Sequence, residues 1–217
     1  MKKYCQFSPM VQYKNNTTQT PTESLYLELP SAIALQVTQE QFEALAAANR
    51  DLRLERTSYG ELIVNPPTGG ESGQRNFSIT GQLARWCEEH EDLGEGFDSS
   101  TGFRLPSGAD RSPDASWVRR EKLEALNPDP TKFLPLAPDF VVELRSTTDK
   151  LKTLQSKMQE YIDNGVRLGW LIDPKNRRVE IYRSGQDVEI FESPITLSGE
   201  DVLPGFVLSL ALLWDSV

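Results

Sequence analysis

The sequence predicts an α/β fold in which a central mixed β-sheet is flanked by α-helices. Three observations lead to this prediction. The order of elements runs from a helix through several strands to a second long helix and then to further strands. Residues 148 to 164 show the clearest helical periodicity, because their apolar side chains form one stripe. Residues 139 to 146 are typical of a buried strand, whose alternate side chains face opposite sides of a sheet.

The first predicted elements are a helix and a hairpin. Thr38 is in the N-cap position before QEQFEALAAANRD, and Gln41 completes a capping box. LRLERT and ELIVN follow as two strands joined by a turn at 58–60. We expect PPTGGESGQRN to be a loop and NFSITGQLARWCEEH to be a helix packed on a sheet.

The middle and the end of the chain alternate between short strands and helices. GFDSSTGFRLPSGADRSPDASWVRR predicts two strands joined by SGAD, the second centred on ASWV. EKLEAL is a short helix, and NPDPTKFLPLAP is a loop before the strand from 139 to 146. After the helix from 148 to 164, LGWLIDP, RVEIYR and DVEIF predict three more strands.

Length and composition limit the class of protein. The chain has 217 residues, of which 38% are hydrophobic and 25% charged, with a net charge of −9. We expect a loose N-terminal extension over 1–30, a single domain over 31–217 and a cytoplasmic location. No apolar stretch reaches the roughly 20 residues that cross a bilayer, so we expect no membrane association. Cys5 and Cys87 stand far apart, which argues against a zinc site.

Several common catalytic classes lack their motifs. His90 is the single histidine, and neither a GxSxG elbow nor a Walker loop, a GxGxxG fingerprint or an HExxH pair is present. We therefore expect any catalysis to use carboxylates, lysines and hydroxyl groups.

Glu143 is the first candidate for such chemistry. Side-chain alternation places Phe140, Val142 and Leu144 on one sheet face and Glu143 on the other. A buried carboxylate is costly unless it is paired or binds a metal. Four residues of strand span about 13 Å, so Asp139 on the same strand cannot share one ion with Glu143.

A neighbouring strand at SPDASWV would place Asp114 beside Glu143. Two adjacent carboxylates repel each other unless a cation lies between them, and oxygen ligands favour Mg²⁺ or Mn²⁺. One alternative stays open, in which Asp114 only caps a turn after Pro113 and Glu143 pairs with Arg145 or Lys157. Asp139, directly after Pro138, has the position of a turn residue.

Lys157 is the candidate cation of this region. It borders the apolar stripe of the helix from 148 to 164, so its ammonium group can reach the sheet edge where Glu143 emerges. There it would orient a water molecule or stabilise developing negative charge. Gln155 and Tyr161 are weaker polar candidates on the same helix.

The order of these residues resembles a known nuclease signature. Pro113-Asp114, Glu143-Leu144-Arg145 and then Lys157 resemble the PD-(D/E)XK pattern. PDFVVELRSTTDKLKTLQSKMQEYIDNGVRLGWLIDP followed by RRVEIYR is similar to the Uma-two family of restriction-endonuclease-like proteins. The similarity extends from about Thr38 to Trp214 and includes GELIVNPPTGGESGQRN.

This resemblance implies a restriction-endonuclease-like core and a Mg²⁺- or Mn²⁺-dependent endonuclease acting on nucleic acid, with DNA as the expected substrate. Asp114 and Glu143 would be the metal ligands. The lysine of the signature is replaced by Arg145, and a lysine on the following helix, Lys157, would take its role. Glu61 and Asn76 lie in family-like segments and are further candidates for the site. A nuclease fold that binds without hydrolysis is the alternative function, and a carboxylate-pair glycosidase is a third.

Charge gives an ambiguous indication about the partner. A net charge of −9 lacks the basic surface typical of a duplex-DNA binder. From residue 143 to 183, however, nine Lys or Arg accompany six acids, so this segment carries +3. The segment is either a nucleic-acid face or an ordinary solvated surface. A homodimer is plausible for an enzyme that cuts a symmetric duplex.

Overall fold

The structure is a computed structural model that describes residues 34–129 and 131–214. The predicted extension over 1–30 lies outside the described residues. The helices are α1 (Gln39–Ala48), α2 (Gly70–Glu89), α3 (Arg120–Leu126), α4 (Leu151–Asp163) and α5 (Ala211–Trp214). No helix in the described ranges is long and apolar enough to cross a membrane.

The strands form three sheets. Their bounds are β1 (Arg53–Arg56), β2 (Leu62–Asn65), β3 (Gly94–Asp98), β4 (Phe103–Arg104), β5 (Asp110–Arg111), β6 (Ala115–Arg119), β7 (Phe140–Leu144), β8 (Leu168–Asp173), β9 (Arg178–Arg183), β10 (Glu189–Glu192), β11 (Thr196–Ser198) and β12 (Val207–Ser209). The central sheet has the order β10-β9-β8-β7-β6-β3, a smaller sheet has the order β2-β1-β5-β4, and β11 pairs with β12. In the central sheet β7 and β8 are parallel and the other neighbours are antiparallel, which confirms the predicted mixed sheet.

The two faces of the central sheet are covered by different helices. Phe140, Val142 and Leu144 belong to a buried cluster with the apolar side of α2. Val141, between them in sequence, packs instead in a cluster with Met158 of α4. The alternation predicted for this strand is therefore confirmed, and Glu143 lies on the face covered by α4.

The first predicted elements are also present. Thr38 caps α1, and its hydroxyl and the Gln41 side chain form both bonds of the capping box. β1 and β2 pair as the predicted antiparallel hairpin. Gly60 in its turn has φ +87°, where a Cβ would approach the carbonyl oxygen of Val37 to 3.0 Å. A glycine therefore suits both the backbone angle and the space.

The expected loop over PPTGGESGQRN is partly wrong, because α2 begins at Gly70 rather than near Asn76. Its glycines and polar residues have poor intrinsic helix propensity. The first turns are instead stabilised by tertiary and local contacts. Arg75 pairs with Glu71 one turn earlier at 2.7 Å, and its Nε donates to the carbonyl of Leu213 at 2.8 Å.

The segment around SGAD differs from the prediction in one respect that bears on function. The turn at Gly108 does join two strands, but they are β4 and β5 of the smaller sheet. ASWV forms a separate strand, β6, in the central sheet. Ser112 to Asp114 therefore carry the chain from one sheet to the other, and Asp114 lies at that crossing.

Candidate functional site

Asp114 extends β6 beside the end of β7. Its backbone N–H donates to the carbonyl of Val142 at 3.0 Å, and its side chain accepts the backbone N–H of Leu144 at 2.9 Å. The other carboxylate oxygen is 3.1 Å from Nη1 of Arg53. The predicted pairing of the two strands is confirmed, and it places the Asp114 side chain next to the position of Glu143.

Glu143 is buried, with an exposed fraction of 3%. Its Oε1 is 2.8 Å from Nζ of Lys157 and accepts the hydroxyl of Tyr161 at 2.9 Å. Arg145 has a different partner, Asp173, at 2.6 Å. Of the two cations considered from the sequence, Lys157 is therefore the partner of Glu143. It reaches the carboxylate from α4, as the spacing predicts.

A second buried carboxylate, Glu55 of β1, was missed by the sequence analysis. Its Oε1 is 3.0 Å from Nζ of Lys157 and accepts the backbone N–H of Ser112 at 3.0 Å. Its Oε2 lies 3.4 Å from Arg111, which also binds Glu160 at 2.6 Å. Lys157 therefore bridges two acids from different sheets.

The signal that could have found Glu55 is the one that identified Glu143. Both are carboxylates inside a short strand, and a buried carboxylate needs a compensating cation. The signal is weaker for Glu55, because β1 is RLER, with three charged residues of four, whereas β7 is FVVEL. In LRLERT, however, the partner comes from a helix about a hundred residues later, and no local pattern indicates that pairing.

Burial and the surrounding acids give Glu143 an unusual ionisation. Burial, together with the negative charges of Asp114 and Glu55, raises the pKa of Glu143 to about 7, although Lys157 acts in the opposite direction. Burial also raises the pKa of Glu55, but Lys157 and Arg111 outweigh it and hold that pKa below its ordinary value. The two acids, bridged by one lysine, therefore differ in how readily they lose a proton.

Lys157 keeps its charge in this environment. Burial lowers the pKa of its ammonium group, but Glu143 and Glu55 outweigh that effect and raise the pKa above its ordinary value. At neutral pH Lys157 is consequently a cation and not a base. It can stabilise negative charge and orient a water molecule, but it cannot remove a proton from one.

The other candidates from the sequence lie elsewhere. Gln155 donates to Glu180 of β9, not to Glu143. Glu61 is exposed beside the hairpin turn, and Asn76 is in α2, whose apolar side packs on the opposite sheet face from α4. Within the described ranges neither residue belongs to the hydrogen-bonded cluster around Glu143. His90 lies at the C-terminal end of α2, where its ring stacks on Trp86.

Asp139 is also buried, at the opposite end of β7. It accepts the backbone N–H of Arg119 at 3.0 Å and its Nε at 2.9 Å. Lys122 lies 3.7 Å away. The expectation that Asp139 has a structural role agrees with these contacts.

The pair Asp114 and Glu143 fits a magnesium-type ion. Their oxygens are hard donors, and Mg²⁺ commonly binds one or two protein carboxylates while water and substrate phosphate complete its octahedral shell. Among the described residues no group of three His, Cys, Asp or Glu is placed to hold a metal ion. Water and a substrate phosphate would have to supply the remaining ligands of an ion at this pair.

A mixed sheet that carries two neighbouring carboxylates and a lysine from the next helix resembles the core of restriction-endonuclease-like proteins. The chain belongs to the Uma2 family, described as "Putative restriction endonuclease", whose model matches residues 39–211. The resemblance noted from the sequence is thereby confirmed, and the family supports a nuclease.

A solved structure shows a similar fold. A crystal structure from Anabaena variabilis ATCC 29413, described as a "putative nuclease belonging to DUF820", aligns with a TM-score of 0.64 and 19% identity. The alignment covers 74% of this chain and 89% of that one. A cryo-EM structure of a DrdV–DNA complex aligns over 67% of this chain and 12% of that one, with 16% identity and a TM-score of 0.34, too low to support an argument. No curated protein matches the chain.

Proposed function

We propose that the protein is a divalent-metal-dependent endonuclease that hydrolyses phosphodiester bonds of DNA. The observation that carries the proposal is the contact of Lys157 with Glu143 at 2.8 Å, beside Asp114. The order of these residues in the chain is that of the nuclease signature, and the Uma2 family supports the same activity.

Asp114 and Glu143 would hold Mg²⁺ or Mn²⁺, with the backbone carbonyl of Leu144 as a further oxygen donor. A bound ion would polarise the scissile phosphate and lower the pKa of a coordinated water. Because the pKa of Glu143 is about 7, this carboxylate is largely ionised only at slightly alkaline pH when no divalent ion is bound. The ionised form is the one that binds a metal, so we expect metal affinity to rise with pH.

Lys157 would orient the attacking water and stabilise the charge that develops on the phosphate. Glu55 would position Lys157, since its Oε1 lies 3.0 Å from the ammonium nitrogen. Tyr161 positions Glu143 through its hydroxyl. The site thus draws its parts from β1, the β6 extension, β7 and α4.

The charge of the 143–183 segment gives little support for a broad DNA-binding face. At least five of its nine cations, Arg145, Lys157, Arg167, Arg178 and Arg183, form ion pairs with acids. We therefore expect binding to DNA to be weak without a divalent ion and to depend only slightly on salt, because few free cations are available to neutralise phosphates. The homodimer suggested by duplex symmetry is tested separately, by light scattering with and without DNA.

Cleavage of single-stranded and supercoiled DNA by the purified protein tests the function. We expect nicking with Mg²⁺ or Mn²⁺, none with EDTA, and none from Glu143→Gln. Asp139→Asn is the matched control, because it removes another buried carboxylate, which lies at the opposite end of the same strand from Glu143. Equal residual activity in wild type and Glu143→Gln would indicate contamination. Inactivity on every DNA form, with metal present, would contradict DNA cleavage and favour a non-catalytic binding module or an RNA substrate.

A further inference from the structure

The three cations of the site are held to different degrees. Lys157 has 11% of its side chain exposed and contacts two carboxylates, Glu55 and Glu143. Arg111 has 8% exposed and also contacts two. Arg53 has 31% exposed and forms an ion pair with one carboxylate, that of Asp114. Arg53 is therefore the cation that can leave its partner most easily.

The hydrogen bonds of Arg53 also leave part of its guanidinium unused. Nη1 donates to Asp114 at 3.1 Å, and Nη2 donates to the backbone carbonyl of Ser112 at 2.5 Å. Nε is buried and has no hydrogen-bond partner within the described part of the chain. A buried N–H without a partner costs free energy, so a further acceptor at this position would be favourable.

Asp114 has two roles that conflict. It is the proposed metal ligand, yet one of its oxygens faces the charge of Arg53 and the other accepts the Leu144 N–H. A divalent ion that binds the oxygen facing Arg53 has to displace the guanidinium, since two cations at one carboxylate oxygen repel each other.

We propose that Arg53 is an exchangeable counter-ion: it competes with the divalent ion for Asp114 and, once displaced, binds a phosphate oxygen of the nucleic acid. This inference rests on the proposed function. The planar guanidinium suits both states, because its parallel N–H groups match carboxylate and phosphate oxygens equally well. Arg53 is also the most exposed of the three cations, at 31% of its side chain, so a phosphate that approaches from solvent can reach it. DNA and metal would then bind cooperatively, since each removes a competitor of the other.

Metal binding in the absence of nucleic acid is the first test. Isothermal titration with Mn²⁺ compares wild type, Arg53→Gln, Arg53→Lys and the control Arg119→Gln. Arg119 is 41% exposed and pairs with another buried aspartate, Asp139, at the far end of β7. Because a neighbouring cation changes the proton affinity of a carboxylate by about tenfold or more, we expect Arg53→Gln to bind Mn²⁺ about tenfold more tightly than wild type. Arg53→Lys should show a smaller gain, and Arg119→Gln none.

The second test measures the affinity for substrate as KM for DNA cleavage at saturating Mn²⁺. Loss of a charge-assisted bond to phosphate should raise KM about tenfold in Arg53→Gln, with a smaller change in kcat. Arg119→Gln should keep the KM of wild type. Circular dichroism and thermal unfolding check that each variant is folded. If Arg53→Gln does not fold, both measurements are made on Arg53→Lys instead.

The outcomes separate this inference from the proposed function. Mn²⁺ affinity that is unchanged or weaker in both Arg53 variants, in a protein that binds metal and cleaves DNA, would overturn the exchange alone. Tighter Mn²⁺ binding with an unchanged KM would overturn the phosphate contact. Metal binding that appears only when Arg53 is replaced would support the competition. Neither metal binding nor cleavage in any protein would overturn both proposals.

Discussion

The two ends of β7 each carry a buried carboxylate, and their surroundings differ. Asp139 at the start is 0% exposed, and Glu143 near the end is 3% exposed. Asp139 accepts hydrogen bonds from the backbone N–H and the side chain of Arg119, and Lys122 lies 3.7 Å away. None of these partners is an acid. Glu143 shares Lys157 with Glu55 and feels the charge of Asp114.

The two buried acids differ in how far neighbouring cations and N–H groups compensate their charge. A carboxylate at the end of a strand can be fully compensated by neighbouring cations and N–H groups, and then it supports the fold. Burial, together with the negative charges of Asp114 and Glu55, raises the pKa of Glu143 to about 7, because Lys157 does not fully offset these effects. Such under-compensation is typical of sites that bind a further cation or transfer protons.

The largest expected effect is on cleavage. We expect Glu143→Gln to lower kcat by about 1000-fold, since it replaces the charged carboxylate of the proposed metal ligand with a neutral amide. Asp139→Asn should keep kcat within a few-fold of wild type and lose stability of about 1–3 kcal/mol, as a buried ionic hydrogen bond is weakened. Initial cleavage rates and urea unfolding of both variants measure this. Similar losses of kcat in both would contradict the distinction between the two ends.

Replacement of the lysine is the next prediction. Lys157→Ala should lower kcat by about 100-fold, because it removes the charge proposed to orient water and stabilise the phosphate. Lys152→Ala removes an exposed lysine from the same helix and should leave the rate unchanged. Single-turnover cleavage at saturating Mn²⁺ measures the chemical step. A rate in Lys157→Ala equal to that of Lys152→Ala would exclude the catalytic role of Lys157.

A smaller effect is expected at the acid that was missed from the sequence. Glu55→Gln removes the ion pair with Lys157. We expect it to lower kcat about tenfold and to reduce the free energy of unfolding by about 1–3 kcal/mol. Glu160→Gln is the control, since Glu160 pairs with Arg111 at 2.6 Å and forms no ion pair with Lys157 within the described part of the chain. Kinetics and urea unfolding should show a stability loss in both variants but a rate loss only in Glu55→Gln. Equal kcat in the two variants would leave Glu55 with a structural role alone.

The smallest expected effect is at the hydroxyl that binds Glu143. Tyr161→Phe removes this hydrogen bond and should lower kcat a few-fold, with a loss of stability of about 1 kcal/mol. Tyr182→Phe is matched to it, because Tyr182 donates to another buried glutamate, Glu180, at 2.7 Å on the same sheet face. Cleavage rates and thermal unfolding compare the two. An identical fall in kcat in Tyr182→Phe would mean that the rate reports stability and not the position of Glu143.

Much of this arrangement was predictable, because it follows from local periodicity. Alternation along β7 fixed the face of Glu143, and the apolar stripe of α4 placed Lys157 at the edge of the same face. The family-like spacing of Asp114, Glu143 and Lys157 then indicated which of them meet. These three residues come from elements that are adjacent in the central sheet or pack directly on it.

The remainder depends on contacts that no local pattern encodes. Arg53 and Glu55 reach the site only because β1 pairs with β5, whose register rests on Arg56 opposite Asp110. A strand of two residues such as β5 has too few residues to show a period. The start of α2 was missed for a related reason, since the Arg75 contact with the Leu213 carbonyl joins residues far apart in the chain.

The most direct test of the difference between the two carboxylates is the free energy of urea unfolding as a function of pH. In the unfolded chain Glu143 loses its proton near pH 4.5, whereas in the folded protein its pKa is about 7. The folded state therefore holds more protons between these values, and stability falls as pH rises through this window. We predict that wild type and Asp139→Asn lose about 3 kcal/mol over this range relative to Glu143→Gln. A Glu143→Gln profile parallel to that of wild type would show that Glu143 is as well compensated as Asp139, and would contradict the account.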